Sequence, residues 1–142
     1  ILVEGQLVFC TPLSRVIAVD PETGVERWSY DPQVRNRHFE GTPSTRVCRG
    51  VAHWRDAGVA ASGACTSRIF AATLDSELLA IDAKTGKTCA DFGRDGRVDL
   101  REGLDPAPAW ERYPTSPPIV VRDVVVVGAG EGGLVVRLTS CR

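Results

Sequence analysis

One stretch of this chain occurs twice. VIAVDPETGVERW at 16–28 lies over LLAIDAKTGKTCA at 78–90, an offset of 62. Ala18 falls on Ala80, Asp20 on Asp82, Thr23 on Thr85 and Gly24 on Gly86. The residues ahead repeat as well, since Thr11 falls on Thr73. ILVEGQLVFC at 1–10 lies over IVVRDVVVVG at 119–128, an offset of 118, close to twice the shorter period. A fixed internal period marks an architecture in which one supersecondary unit stacks on the next.

The units are built from strands. Residues 1–20, 68–82 and 118–136 are rich in β-branched residues. Turn residues interrupt them at Glu4-Gly5, Pro12-Leu13-Ser14, Asp75-Ser76 and Arg122-Asp123. No ten-residue window carries a helical period. The chain reads as all-β, with short antiparallel strands and tight turns. A unit of about 60 residues holding four short strands suits a β-propeller blade.

The repeated Asp-x-x-Thr-Gly is turn chemistry. The Asp and Thr side chains can accept from the turn's amides, and Gly supplies positive φ. These residues read as scaffold. Trp28, eight residues past Asp20, is expected to bury its ring between neighbouring blades. The second copy has Ala90 there, with Phe92 two residues on to fill the same space.

Composition narrows the function classes. Seventeen Lys and Arg against 18 Asp and Glu leave a net charge of −1, so nothing points to nucleic acid or an anionic membrane as partner. With 43% hydrophobic and 25% charged residues, the chain is globular rather than disordered. No apolar run reaches the ~18 residues of a membrane helix, and no signal peptide opens the sequence. It begins with Ile and contains no Met, which reads as a processed chain or a piece of a longer one. Two long connections, 31–47 and 94–115, separate the strand-rich regions. The first carries Arg35, Arg37, His38 and Glu40, the second Pro106, Pro108 and Pro114. His38 and His53, with no matched carboxylate or thiol spacing, do not make a zinc site. His53 reads as packed or at a strand end. The five cysteines include no C-x-x-C pair, which disfavours zinc ribbon, thioredoxin and c-type haem.

LVFCTPLSRVIAVDPETGVERWSYDP, CRGVAHW, ACTSRIFAATLDSELLAIDAKTGKTCADFG and YPTSPPIVV follow one another through most of residues 1–128. In that order they resemble the quinoprotein dehydrogenases that use pyrroloquinoline quinone (PQQ), and among these the membrane-bound glucose dehydrogenase group. The resemblance implies an eight-bladed propeller with PQQ on its axis beside a Ca²⁺ or Mg²⁺ ion. Residues 1–142 would be a fragment of that one domain, with blade repeats at about 1–31, 47–93 and 115–142. That is about two blades and the start of a third, joined by long inter-blade loops, with sheet faces and edges left exposed. LVVRLTSCR at 134–142 lacks the Asp-x-x-Thr-Gly turn and departs from the pattern.

The same resemblance assigns site residues. Arg49, after Cys48, matches the family's Arg-Gly pair, and a guanidinium suits a quinone oxygen or one of the three PQQ carboxylates. Thr115 and Ser116, ahead of Pro117-Pro118, would offer hydroxyls to a carboxylate; ordinary loop capping is the other reading. Gly128 opens a Gly-rich loop that would face the cofactor. Glu131, the loop's one carboxylate, would serve a hard cation. The loop is no dinucleotide fingerprint, because no helix follows. Glucose-type members carry a His three residues before the CRG cysteine. Here that residue is Thr45, which weakens glucose as substrate.

The implied blade geometry places Cys10 with Cys48 on one face. Cys65, before a second strand, and Cys89, in a fourth, would meet on the opposite face, leaving Cys141 free. Four reduced, packed thiols fit the same positions.

The implied activity is oxidation of a sugar or polyol, with electrons passing to a membrane quinone such as ubiquinone. It would take place on the periplasmic side of the bacterial inner membrane, anchored by parts of the protein outside this segment. The family's catalytic Asp lies beyond residue 142, so no catalytic residue is expected here and the fragment alone would be inactive. Two alternatives are a non-enzymatic propeller scaffold that binds proteins, and a PQQ-dependent alcohol dehydrogenase. The first shares the repeat without CRGV or TSPP, and the second often has adjacent cysteines, which are absent here.

Overall fold

Asp20 and Asp82 build the same turn twice. In the computed structural model, Oδ1 of Asp20 accepts the amides of Glu22 and Thr23 at 3.0 Å, and Oδ1 of Asp82 those of Lys84 and Thr85 at 2.9 Å. Gly24 and Gly86 both sit at φ 72° and donate to the Asp20 and Asp82 carbonyls at 2.9 Å. The structure describes residues 1–35, 47–58, 63–105, 113–129 and 132–137, the last as backbone.

These turns punctuate three antiparallel sheets. The first comprises β1 (Leu2–Val3), β2 (Gln6–Cys10), β3 (Val16–Val19) and β4 (Glu26–Tyr30) in chain order. The second comprises β5 (Val51–Arg55), β6 (Ser67–Ala72), β7 (Glu77–Asp82) and β8 (Arg97–Asp99), again in order. The third comprises β9 (Ile119–Val121), β10 (Val124–Ala129) and β11 (Gly132–Arg137). No helix occurs among the described residues. The tight turns fall where the residues demand: Glu4, Ser14, Ser76 and Arg122 all take positive φ. Ser14 and Ser76 are themselves one repeat offset apart, and their amides donate to the carbonyls of Thr11 and Thr73.

The sheets stack face to face. Val3, Val8, Val16, Ala18 and Trp28 of the first bury against Ile69, Ala71, Leu79 and Ile81 of the second. The alternate residues of β6 and β7 (Phe70, Leu78 and Ala80) turn the other way, toward Val125 and Val127 of β10. This explains why β6 and β7 show little in–out alternation: a sheet covered on both faces has no wet side. Each fully buried side chain of this size contributes about 1.5–3 kcal/mol, so the middle sheet is the best anchored. Stacked four-stranded units in strict chain order are successive blades of an all-β propeller.

Trp28 locks the first interface. Its ring lies where a Cβ on Gly86 would stand, 2.6 Å from the nearest ring carbon. Its Nε1 donates to the carbonyl of Ala83 at 3.3 Å. Phe92 is fully buried between the second and third sheets, edge-on to Phe70 with centroids 5.4 Å apart.

One strand assignment is corrected. Cys89 lies in the β7–β8 connection, and the fourth strand begins at Arg97. After a single bridge between Ile81 and Thr88, Gly93 and Gly96 take positive φ and turn the chain back, so that Ala80 receives the Gly96 carbonyl as partner. The cysteines pair nonetheless: Cys10 with Cys48, Cα atoms 5.8 Å apart, and Cys65 with Cys89, 5.7 Å apart. Cys141 lies outside the described residues, as do His38 and Thr45.

Candidate functional site

The residues just before β5 and β9 share one end of the sheets with the β6–β7 turn. Arg49 lies ahead of β5, exposed, and makes no ion pair among the described residues. The chain passes from it to Gly50 at φ 133°, where a Cβ would stand 3.2 Å from Cβ of Pro117. That closeness draws Arg49 and Ser116 to one hollow, shared with Thr73 and Pro118. Its described lining has a guanidinium and hydroxyls and no carboxylate.

Thr115, Ser116 and Gly128 come together. The Thr115 amide donates to the Gly128 carbonyl at 2.8 Å, and the Gly128 amide donates to Ser116 Oγ at 3.0 Å. Pro114 and Ala129 form a further bridge. A Cβ at Gly128 would stand 2.5 Å from Ser116 Oγ, so glycine is what lets the serine approach the strand. Ser116 Oγ accepts here, which leaves its own proton to donate. Thr115 Oγ1 lies 3.8 Å from the same Cβ position. The fifth expected residue, Glu131, lies outside the described residues.

Thr73 was legible only as a repeat position, yet it borders the hollow. Its hydroxyl serves the fold: Oγ1 accepts the amides of Asp75 and Glu77, both at 3.2 Å. His53 is half-buried, with Nε2 2.8 Å from Ser67 Oγ. Burial, then the positive charge of Arg55, lower its pKa. It is a packed strand histidine rather than part of this site.

Among the described residues one cluster has metal-ligand types: Cys65, Cys89 and Asp91. Its two sulfurs are bonded to each other, and Asp91 holds the Arg68 guanidinium at 2.6 Å. It therefore offers no open ligand set. The hollow encloses only about 10 Å³ within this segment, and what suits an anionic, oxygen-rich ligand is the chemistry of its rim. Arg49 supplies positive charge and Ser116 a donor, while Gly128, outside the lining, lets Ser116 sit against β10.

The family described as PQQ: Glucose/ethanol/alcohol dehydrogenase, beta-propeller domain, matches residues 1–134. The glycerol dehydrogenase large subunit of Gluconobacter oxydans (strain 621H) is 37% identical over 121 residues, covering 85% of this chain and 16% of the relative. Quinoprotein glucose dehydrogenase A of Acinetobacter calcoaceticus is 34% identical over 140 residues, covering 89% and 17%. Among solved structures, quinohemoprotein alcohol dehydrogenase ADHIIG from Pseudomonas putida HK5 aligns with a TM-score of 0.70 at 30% identity. That alignment covers 96% of this chain and 18% of the other. The chain thus spans about one sixth of the length of the proteins it matches.

Proposed function

This chain belongs to the PQQ-dependent glucose/ethanol/alcohol dehydrogenase β-propeller family, and we propose that it supplies one wall of the PQQ site in an enzyme that oxidises a sugar or polyol. When bound, PQQ supplies a quinone that accepts hydride from an alcohol carbon. The residues here bind and orient it. Arg49 pairs with a cofactor carboxylate or quinone oxygen, and Ser116 and Thr115 offer hydroxyls beside it. Gly128 gives Ser116 the room to sit against β10 and holds its hydroxyl in place. The observation that carries this reading is the convergence of Arg49 and Ser116 on a hollow whose described lining has no carboxylate.

The finer reading extends the same proposal. The kinship with a glycerol dehydrogenase and a glucose dehydrogenase supports the sugar or polyol class. Electrons would pass to a membrane quinone, with ubiquinone the proposed acceptor, on the periplasmic side of the inner membrane. Two disulfides in so short a segment agree with an oxidising compartment. A Ca²⁺ or Mg²⁺ ion beside PQQ, with Glu131 as a ligand, completes the proposal. The base that removes the substrate proton is assigned outside these residues.

The test is Arg49→Ala in a full-length dehydrogenase carrying this segment. A charge-assisted hydrogen bond is worth ~1.5–3 kcal/mol, so the PQQ dissociation constant should rise about 10- to 100-fold. Unchanged affinity, measured by titrating the apoenzyme with PQQ, would remove Arg49 from the site.

A further inference from the structure

We propose that the Cys10–Cys48 disulfide is the positioning element for Arg49, fixing its backbone at the rim of the hollow; this rests on the reading of Arg49 as a PQQ-binding cation.

Residues 47–50 belong to no strand, and regular pairing resumes only where Val51 meets Ala71. Arg49 is exposed and makes no ion pair among the described residues, so its backbone alone sets the point from which its side chain leaves toward the hollow. That backbone is held on either side. Gly50 lies against Pro117, and Cys48 is bonded to Cys10. Cys10 is a firm anchor: it ends β2, pairs with Val16 and packs against the first core cluster. The bond thus carries the rigidity of the first sheet to the residue next to Arg49. Without it, a long, flexible cation must be ordered at the moment of binding, and affinity falls accordingly.

The molecule contains its own control. Cys65–Cys89 joins the β5–β6 and β7–β8 connections, at the end of the second sheet opposite Arg49. Losing it should cost stability without touching the hollow.

The experiment compares Cys10→Ser/Cys48→Ser, Cys65→Ser/Cys89→Ser and Arg49→Ala in a full-length dehydrogenase carrying this segment. Cys10→Val/Cys48→Ala replaces the first pair should the serines prevent folding. One readout is PQQ affinity of the apoenzyme; the other is hydrogen exchange at the amides of Gly50 and Val51, with no cofactor present. Removing Cys10–Cys48 should weaken PQQ about tenfold and speed exchange at those two amides. Removing Cys65–Cys89 should leave both near the parent values. Equal PQQ affinities in the two cysteine pairs, or exchange at Gly50 and Val51 that does not change, would overturn the positioning role. Unchanged affinity in Arg49→Ala would instead overturn the reading beneath it.

Discussion

Gly24 and Gly86 share one φ and one hydrogen bond, yet they face different surroundings. A Cβ on Gly86 meets the Trp28 ring, whereas a Cβ on Gly24 meets nothing within 4 Å. Both substitutions by alanine carry the strain of a left-handed backbone. Only Gly86→Ala adds a steric clash, and overpacking costs ~1–3 kcal/mol. Urea unfolding should therefore show Gly86→Ala less stable than Gly24→Ala by about that amount. Asp82 offers a second residue-scale test. Burial works to raise its pKa, but the amides of Cys65, Thr85 and Lys84 together hold it below the usual carboxylate value. Its contribution is complete above the unfolded-state pKa near 3.8 and is lost as pH falls through the lower folded value. Stability should decline below about pH 4, and Asp82→Ala should flatten that decline. Asp20 is held low as well, first by Arg27 and then by the amides of Thr23 and Glu22. These turns were legible in the sequence because their bonds run between residues two to five apart. The steric difference between the two glycines was not, since Trp28 reaches Gly86 only through the stacking of two sheets.

At the scale of elements, the first interface depends on one aromatic side chain. Trp28→Ala removes the ring that covers Gly86 and the donor to Ala83. Truncating a buried Trp costs ~3–5 kcal/mol, and the loss should appear as a lower urea midpoint with the far-UV spectrum kept. The strands themselves followed from β-branched runs between turn residues, because both signals are local. β8 escaped because Gly93 and Gly96 delay it, and its pairing with β7 depends on that turn closing in space. The candidate site was read residue by residue, through resemblance. The bond from the Gly128 amide to Ser116 Oγ belongs to the folded chain, since it joins a strand end to a loop on the far side of a hairpin.

Among the described residues, the stack leaves apolar side chains exposed on its first and third sheets. On the first sheet Leu2, Leu7 and Phe9 are exposed, and on the third Ile119 and Val121. Leu7 and Phe9 occupy the repeat positions of Ile69 and Ala71, which are fully buried in the first interface. The outer face of the first sheet is therefore shaped for burial. Produced alone, the chain should self-associate at micromolar concentration, and Phe9→Lys should lower its light-scattering mass at equal concentration. A mass that stays high would mean that association uses another surface.

The Trp28–Gly86 contact also bears on how the repeats diverge. A ring on one unit and a glycine on the next are two halves of a single constraint, written in different copies. The second copy has Ala90 at the ring position, and Phe92, two residues on, is the ring buried between the second and third sheets. Gly24 has no ring opposite it, yet its φ of 72° still calls for glycine, so the turn and the ring make separate demands. Between these two copies the aromatic side chain has shifted by two residues while the turn glycine has kept its place.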